Sequence, residues 1–247
     1  MDLSEVHALL DPAPLALETG YERLASGVLH VACRTELYGC TGEMFEWWFR
    51  FRPNTQQYIW WHPADHVSSE WAEAQDGTHI GSIHLVEEHF SGSPAEKLAI
   101  QFRHPHEYFD AAAYDEARDR GAISAAVCGR VGMGDAPERT GSGEILGGRL
   151  LHMGRDTPSG MTLRSHFYLG EDMPAQGHSA EEIKAAIEQV YHDRILAAGG
   201  GGRQQQPSLE QLGRLLGRGR GGNRGGSQSR RDDPAQKMKL GIHARTN

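Results

Sequence analysis

The order of elements constrains this chain more than any single motif. Strand-like segments fill most of it up to Gly170, and one amphipathic helix closes the run. That helix begins near Ser179, where Ser179 and Glu182 fit a capping box, serine at the N-cap and glutamate three residues on. Ile183, Ile187, Val190, Tyr191 and Ile195 then recur at three- to four-residue spacing and form one apolar stripe. Such a stripe must be buried, and the sheet is the only large partner on offer. The order therefore predicts an α+β layout of the helix-grip kind. A curved antiparallel sheet packs on a long C-terminal helix, with a cavity between them.

The strands themselves are read from alternation and β-branched content. "GVLHVACRTEL", "HIGSIHLVEEHF", "KLAIQFRHP" and "GAISAAVCGRVG" are strand candidates, with a helical or loop insert at "YFDAAAYDEARDR". Arg149–Gly154 and Met161–Gly170 read as a hairpin turning at Asp156–Gly160. "EMFEWWFRF" is compatible with helix or strand. In "QYIWWHPADH" the residue before Pro63 avoids the helical region, so His62 is expected to end a strand. His62 and His66 then need not share a face.

Composition divides the chain near residue 199. Residues 1–198 carry 15 basic and 30 acidic side chains, whereas residues 199–247 carry 10 and 3. An acidic body argues against non-specific nucleic-acid binding by that part. Residues 199–247 are a low-complexity Gly/Arg-rich tail that cannot bury enough apolar surface to offset chain entropy, and disorder is expected there. An arginine-glycine segment can dock RNA, although a solvated tail is the simpler reading. Residues 1–198 are read as one domain. Three scattered cysteines, with no CxxC, give neither a disulfide framework nor a thiolate zinc site. The acidic N-terminus does not read as a signal peptide, and no apolar run approaches the ~20 residues that span a bilayer. A cytoplasmic protein with no membrane partner is expected.

Fourteen histidines are many for 247 residues, and such a surplus points to metal or proton chemistry. His178 and Glu182 stand four apart, a spacing that places two ligands on one helix face. An N-cap at Ser179, however, puts His178 just outside the helix. Glu87 and Glu88 in "HLVEEHF" must face opposite sides of a strand, and the inward one is either a ligand or half of an ion pair. Taken alone, the His178–Glu182 and His62–His66 sets favour ordinary packing or surface roles.

Taken together, "YIWWHPADH", "VEEHFSG", "FRHPHEYFD", "LLHMGRDTPSGMTLRSHFYLG" and "HSAEEI" resemble the diacetylphloroglucinol hydrolase family, to which phloretin hydrolases are similar. The resemblance runs in order from about Thr41 to Ile195. It implies a Bet v 1-like fold and a zinc ion (Zn2+) held by His62, Glu88, His178 and Glu182, converging within about 5 Å given zinc bonds of about 2.0–2.2 Å. It implies hydrolysis of the C–C bond between a polyhydroxylated ring and an acyl group. His152 is then expected to shuttle the proton, and Asp65 and His66 to stand by the phenolic oxygens. Tyr58, Trp61, His166 and Tyr168 would line the substrate. Family members commonly form homodimers. The competing readings are a non-catalytic cavity protein that binds an aromatic or lipid-like ligand, and an interaction protein working through its basic tail.

Overall fold

In a computed structural model of the chain, residues 1–89 and 94–199 are described, residues 190–199 by their backbone alone. Two sequence readings go beyond what is described: the tail from 200 on lies outside the described residues, and the Val190, Tyr191 and Ile195 part of the helix stripe rests on side chains that are not described.

Eight strands form one antiparallel sheet in the order β1-β2-β8-β7-β6-β5-β4-β3. They are β1 (Gly20–Arg23), β2 (Leu29–Tyr38), β3 (His66–Ala72), β4 (Ile83–His89), β5 (Ala95–Arg103), β6 (Ala125–Met133), β7 (Gly148–Thr157) and β8 (Gly160–Leu169). β3 to β8 form a meander, while β2 pairs with β8 along its whole length. The chain leaving β2 must therefore reach the far edge of the sheet to begin β3. It does so through α1 (Gly42–Phe51) and α2 (Thr55–Trp61).

"EMFEWWFRF" is thus helix. Thr41 caps it by accepting from the Met44 N–H, and Arg52, in the left-handed region at φ 57°, ends it. Asn54 then caps α2 in a box with Gln57. Gly42 is required where α1 starts, because a Cβ there would meet the Ser124 carbonyl at 2.5 Å.

Strand register decides which side chains share a face. Phe45, Trp48 and Phe49 of α1 pack on Leu37, Phe102, Ala125, Val127, Met161 and Leu163, and this is the inner face. The outer face is covered by the N-terminal 3-10 helix (Leu3–Leu10) and by α3 (Ala111–Asp119), which bury Ala126, Cys128, Leu151, Met153 and Tyr168. Arg164 ties the N-terminal segment down, donating to Glu18 and to the carbonyls of Asp11 and Ala13.

The last helix, α4 (Ala180–Gly199), brings Ile183 and Ile187 onto Leu29, with Leu169 and Val31 alongside. That contact is on the inner face, at the β1–β2–β8 end. The α+β layout with an antiparallel sheet matches the sequence reading. The observed helix contact covers the stripe only as far as Ile187.

Candidate active site

Across the inner face the registers align His152 with Ser165 on β8 and with Val127 on β6, and Ser165 with Cys33 on β2. His152 Nδ1 lies 2.8 Å from Ser165 Oγ. Phe45 and Phe167 stand edge-on to its ring, with centroids at 6.0 and 5.8 Å. This part of the inner face is not sealed: Val31, Cys33, His152 and Phe167 all keep partial exposure, whereas His30 and Ala32 between them on the other side are buried. Burial between the two phenylalanines pulls the His152 pKa down to about 4.

A second cluster sits where α2 meets β3 and β4. α2 places Tyr58 in the core. Pro63 keeps His62 out of the helix, at φ −138°, so that His62 caps the C-terminus of α2 instead of ending a strand. The chain then turns tightly, and the His66 N–H reaches back to the His62 carbonyl at 2.9 Å. His62 and His66 do meet, with ring centroids 5.4 Å apart.

Glu88 faces inward beside Val86 and His84, and Glu87 faces the other way toward Ser68. Tyr58 holds the cluster twice. Its hydroxyl donates to Glu88 Oε1, and its carbonyl accepts from His66 Nδ1 at 2.9 Å, with the two rings stacked at 3.7 Å. Because a carbonyl only accepts, neutral His66 carries its proton on Nδ1 and presents a bare Nε2, 3.8 Å from Glu88 Oε1. Burial drives the Tyr58 pKa well up, and the Glu88 charge adds to this. Burial likewise lowers that of His66 to about 4, against the opposing pull of the Tyr58 carbonyl. Asp65 lies 3.4 Å from His62 Nδ1, yet that nitrogen is buried and makes no hydrogen bond.

Trp61 joins the two clusters. Its ring stands 5.7 Å from His66 and 6.2 Å from Phe45, and Phe45 in turn abuts His152. The expected aromatic wall is therefore Trp61 with Phe45, while Trp60 is 47% exposed.

Two sets of expectations do not match this geometry. His166 and Tyr168 lie on the outer face, because they pair with Ala32 and His30 and not with the inner row. His166 Nδ1 is 2.8 Å from His30 Nε2, and His30 Nδ1 is 2.9 Å from Glu22. Neither can share a cavity with Tyr58 and Trp61. Second, His62, Glu88, His178 and Glu182 are not gathered: among the described residues no three His, Cys, Asp or Glu side chains stand together as a metal group. Ser179 is the N-cap, so His178 lies outside the helix and both His178 and Glu182 are exposed. The Glu182 carboxylate is spent on Ser179, accepting from its N–H and its hydroxyl at 2.8 Å. The donors suit zinc in kind: bare His66 Nε2 with Glu88 is one nitrogen and one carboxylate of the sort it takes, and His62 Nδ1 is orphaned. In position they supply only half a site.

Residues 1–199 match the model of the DAPG hydrolase PhiG domain. The chain belongs to that family. Two relatives, 2,4-diacetylphloroglucinol hydrolases of Pseudomonas sp and of Pseudomonas protegens (strain DSM 19095 / LMG 27888 / CFBP 6595 / CHA0), are each 27% identical over 179 residues, which is 68% of this chain and 57% and 55% of theirs. The chain thus spans a little over half the length of those relatives. Among solved structures, Ara h 8.0201 aligns at TM-score 0.34 and 11% identity over 68% of this chain and 99% of its own. Ms6760 from Mycobacterium smegmatis aligns at 0.33 and 6%, over 68% and 96%.

Two contributors escaped the sequence reading. Ser165 could have been found only from the hairpin register. Phe45 sat in a run whose helical state was undecided.

Proposed function

We propose that the chain is a zinc-dependent hydrolase that cleaves the C–C bond between a polyhydroxylated aromatic ring and its acyl group. The observation that carries this reading is the aromatic wall, Trp61 and Phe45, joining a partly exposed histidine to a histidine–carboxylate cluster on one face of the sheet. A flat ring can lie against such a wall with its acyl group toward one cluster and its ring carbon toward the other.

The reaction adds water to the acyl carbonyl carbon. The electrons of the ring–acyl bond pass to the ring carbon, which takes up one proton, and the products are the deacylated phenol and a carboxylic acid. His152 carries that proton. Trp61 and Phe45 orient the ring and keep bulk water away, and Asp65 and His66 stand toward its hydroxyls. Tyr58 holds Glu88 and His66 in place beside the ring. His62, Glu88, His178 and Glu182 are the proposed zinc ligands, and the ion, when bound, supplies Lewis acidity at the acyl carbonyl.

Metal analysis of the purified chain, paired with an assay on an acylphloroglucinol, tests this. One zinc per chain with release of the carboxylic acid is expected, and His178→Ala is expected to lose metal and turnover together. A chain free of metal that binds such phenols without cleaving them would replace the hydrolase by the cavity-protein reading.

A further inference from the structure

The inner face holds a residue with no assigned role, Ser165. It is 7% exposed, lies directly opposite His152 in the β7–β8 ladder, and makes its hydrogen bond to His152 Nδ1. Resting on the function proposed above, we propose that Ser165 is a positioning residue: its Oγ accepts the Nδ1 proton and so holds His152 with an unprotonated Nε2 toward the open strip of the inner face.

The bond length alone leaves the direction open, since a hydroxyl both donates and accepts. The chemistry decides it. The proton that reaches the ring carbon comes from the attacking water, whose oxygen forms the new bond to the acyl carbon. A shuttle must first take that proton, so the nitrogen facing the substrate starts with a lone pair. Neutral imidazole carries one proton, which then sits on Nδ1 and needs an acceptor. Among the described residues, Ser165 Oγ is the acceptor in reach. Nε2 takes the proton from water and passes it to ring carbon, and His152 returns to its starting form. The second water hydrogen leaves with the carboxylic acid.

The surroundings fit this role. Phe45 from α1 and Phe167 on β8 brace the ring edge-on, and Val127 on β6 adjoins it. Cys33, one strand beyond Ser165, is the titratable side chain on the row, and burial is what lowers the His152 pKa. An imidazolium formed there gives its proton up readily, as delivery to carbon demands.

The test is ¹⁵N NMR of the His152 ring in wild type, Ser165→Ala and Ser165→Thr, with steady-state kinetics on an acylphloroglucinol. The wild type should show a protonated Nδ1 and a bare Nε2. Ser165→Ala should shift the tautomer toward Nε2–H and lower kcat about 10- to 100-fold, a share of the 10²–10⁴ a positioned acid–base group supplies. KM should stay within about twofold, because no substrate contact is lost. Ser165→Thr keeps the hydroxyl and should restore both tautomer and kcat. A wild-type Nε2–H tautomer overturns the proposal without any variant, and so does an alanine variant with unchanged tautomer and kcat. A wild type with the Nδ1–H tautomer that cleaves no acyl-phenol would leave the Ser165 assignment standing and remove the hydrolase reading.

Discussion

The two faces of the sheet each bury histidines and treat them differently. On the outer face, Glu22, His30 and His166 form one chain of contacts at 2.8–2.9 Å, with Tyr168 stacked on His30 at 4.7 Å, all beneath the N-terminal segment. His30, His166 and Tyr168 are fully buried. On the inner face, His152 and His66 each have one nitrogen fixed by a neighbour; the His152 residue keeps partial exposure, and the second nitrogen of His66 faces Glu88. Burial lowers the pKa of His152 and His166 alike, to about 4 and about 3. A depressed pKa therefore marks burial and not function. What separates the two histidines is exposure, partial at His152 and nil at His166.

The largest expected effect breaks the comparison outright. His152→Ala should cost about 10²–10⁴ in kcat with the fold intact, the usual worth of a positioned acid–base group. His166→Ala should do the reverse. It leaves His30 Nε2 buried without its partner, at a cost of about 1–3 kcal/mol in stability, while turnover per folded molecule stays near wild type. Chemical denaturation and kcat measured on the same two variants check this. A large kcat loss in a well-folded His166→Ala would return that residue to the substrate site.

Acid sharpens the contrast at the next scale. His30, His84 and His166 have folded pKa values of about 4, 3 and 3, set mainly by burial, against an ordinary value near 6.5. Each is neutral in the folded state, and its share of stability is fully present above pH 6.5. That share is lost as pH falls toward the folded pKa, because the unfolded chain binds the proton first. Between pH 6.5 and 5 each such histidine removes about 2 kcal/mol. Urea midpoints across that interval should fall steeply in wild type and less steeply in His166→Gln, which no longer titrates there. Equal slopes would mean that His166 is not held neutral.

How much of this was legible follows from which signals are local. The strands β2 and β4 to β8 and the capping box at Ser179 were readable because alternation and capping are short-range patterns, whereas alternation left Glu87 and Glu88 open and gave no sign of β1 or β3. The site's other half was not. The turn at Asp156–Gly160 announced a hairpin, but the register depends on how tight that turn is. The observed loop is two residues, Pro158 and Ser159, between the paired Thr157 and Gly160. It can close so tightly because Gly160, at φ 151°, lies where any Cβ would strike the Leu37 carbonyl at 2.1 Å. That register sets His152 against Ser165 and sends His166 and Tyr168 outward, and a slip of one residue would have exchanged the faces. His62 failed for a related reason. Pro63 excludes helix at His62 alone and says nothing of the residues before it, which Asn54 had already capped into α2.

The smallest effect concerns Asp65, and it tests whether the inner face is tuned for charge. Its side chain is 37% exposed and stands 3.4 Å from His62 Nδ1 without a hydrogen bond to it. Asp65→Asn should therefore alter stability by no more than about 0.5 kcal/mol. A phenolate approaching His66 from the strip would meet that carboxylate, and two like charges about 4 Å apart cost about 1 kcal/mol in water-like surroundings. The neutral amide removes the repulsion, so KM for an acylphloroglucinol ionised at the assay pH should fall about threefold to fivefold. KM for the same substrate below its pKa should not change. A pH-independent gain would mean that Asp65 acts through shape, and an unchanged KM at both pH values would place the phenolic oxygens away from α2 and closer to His152.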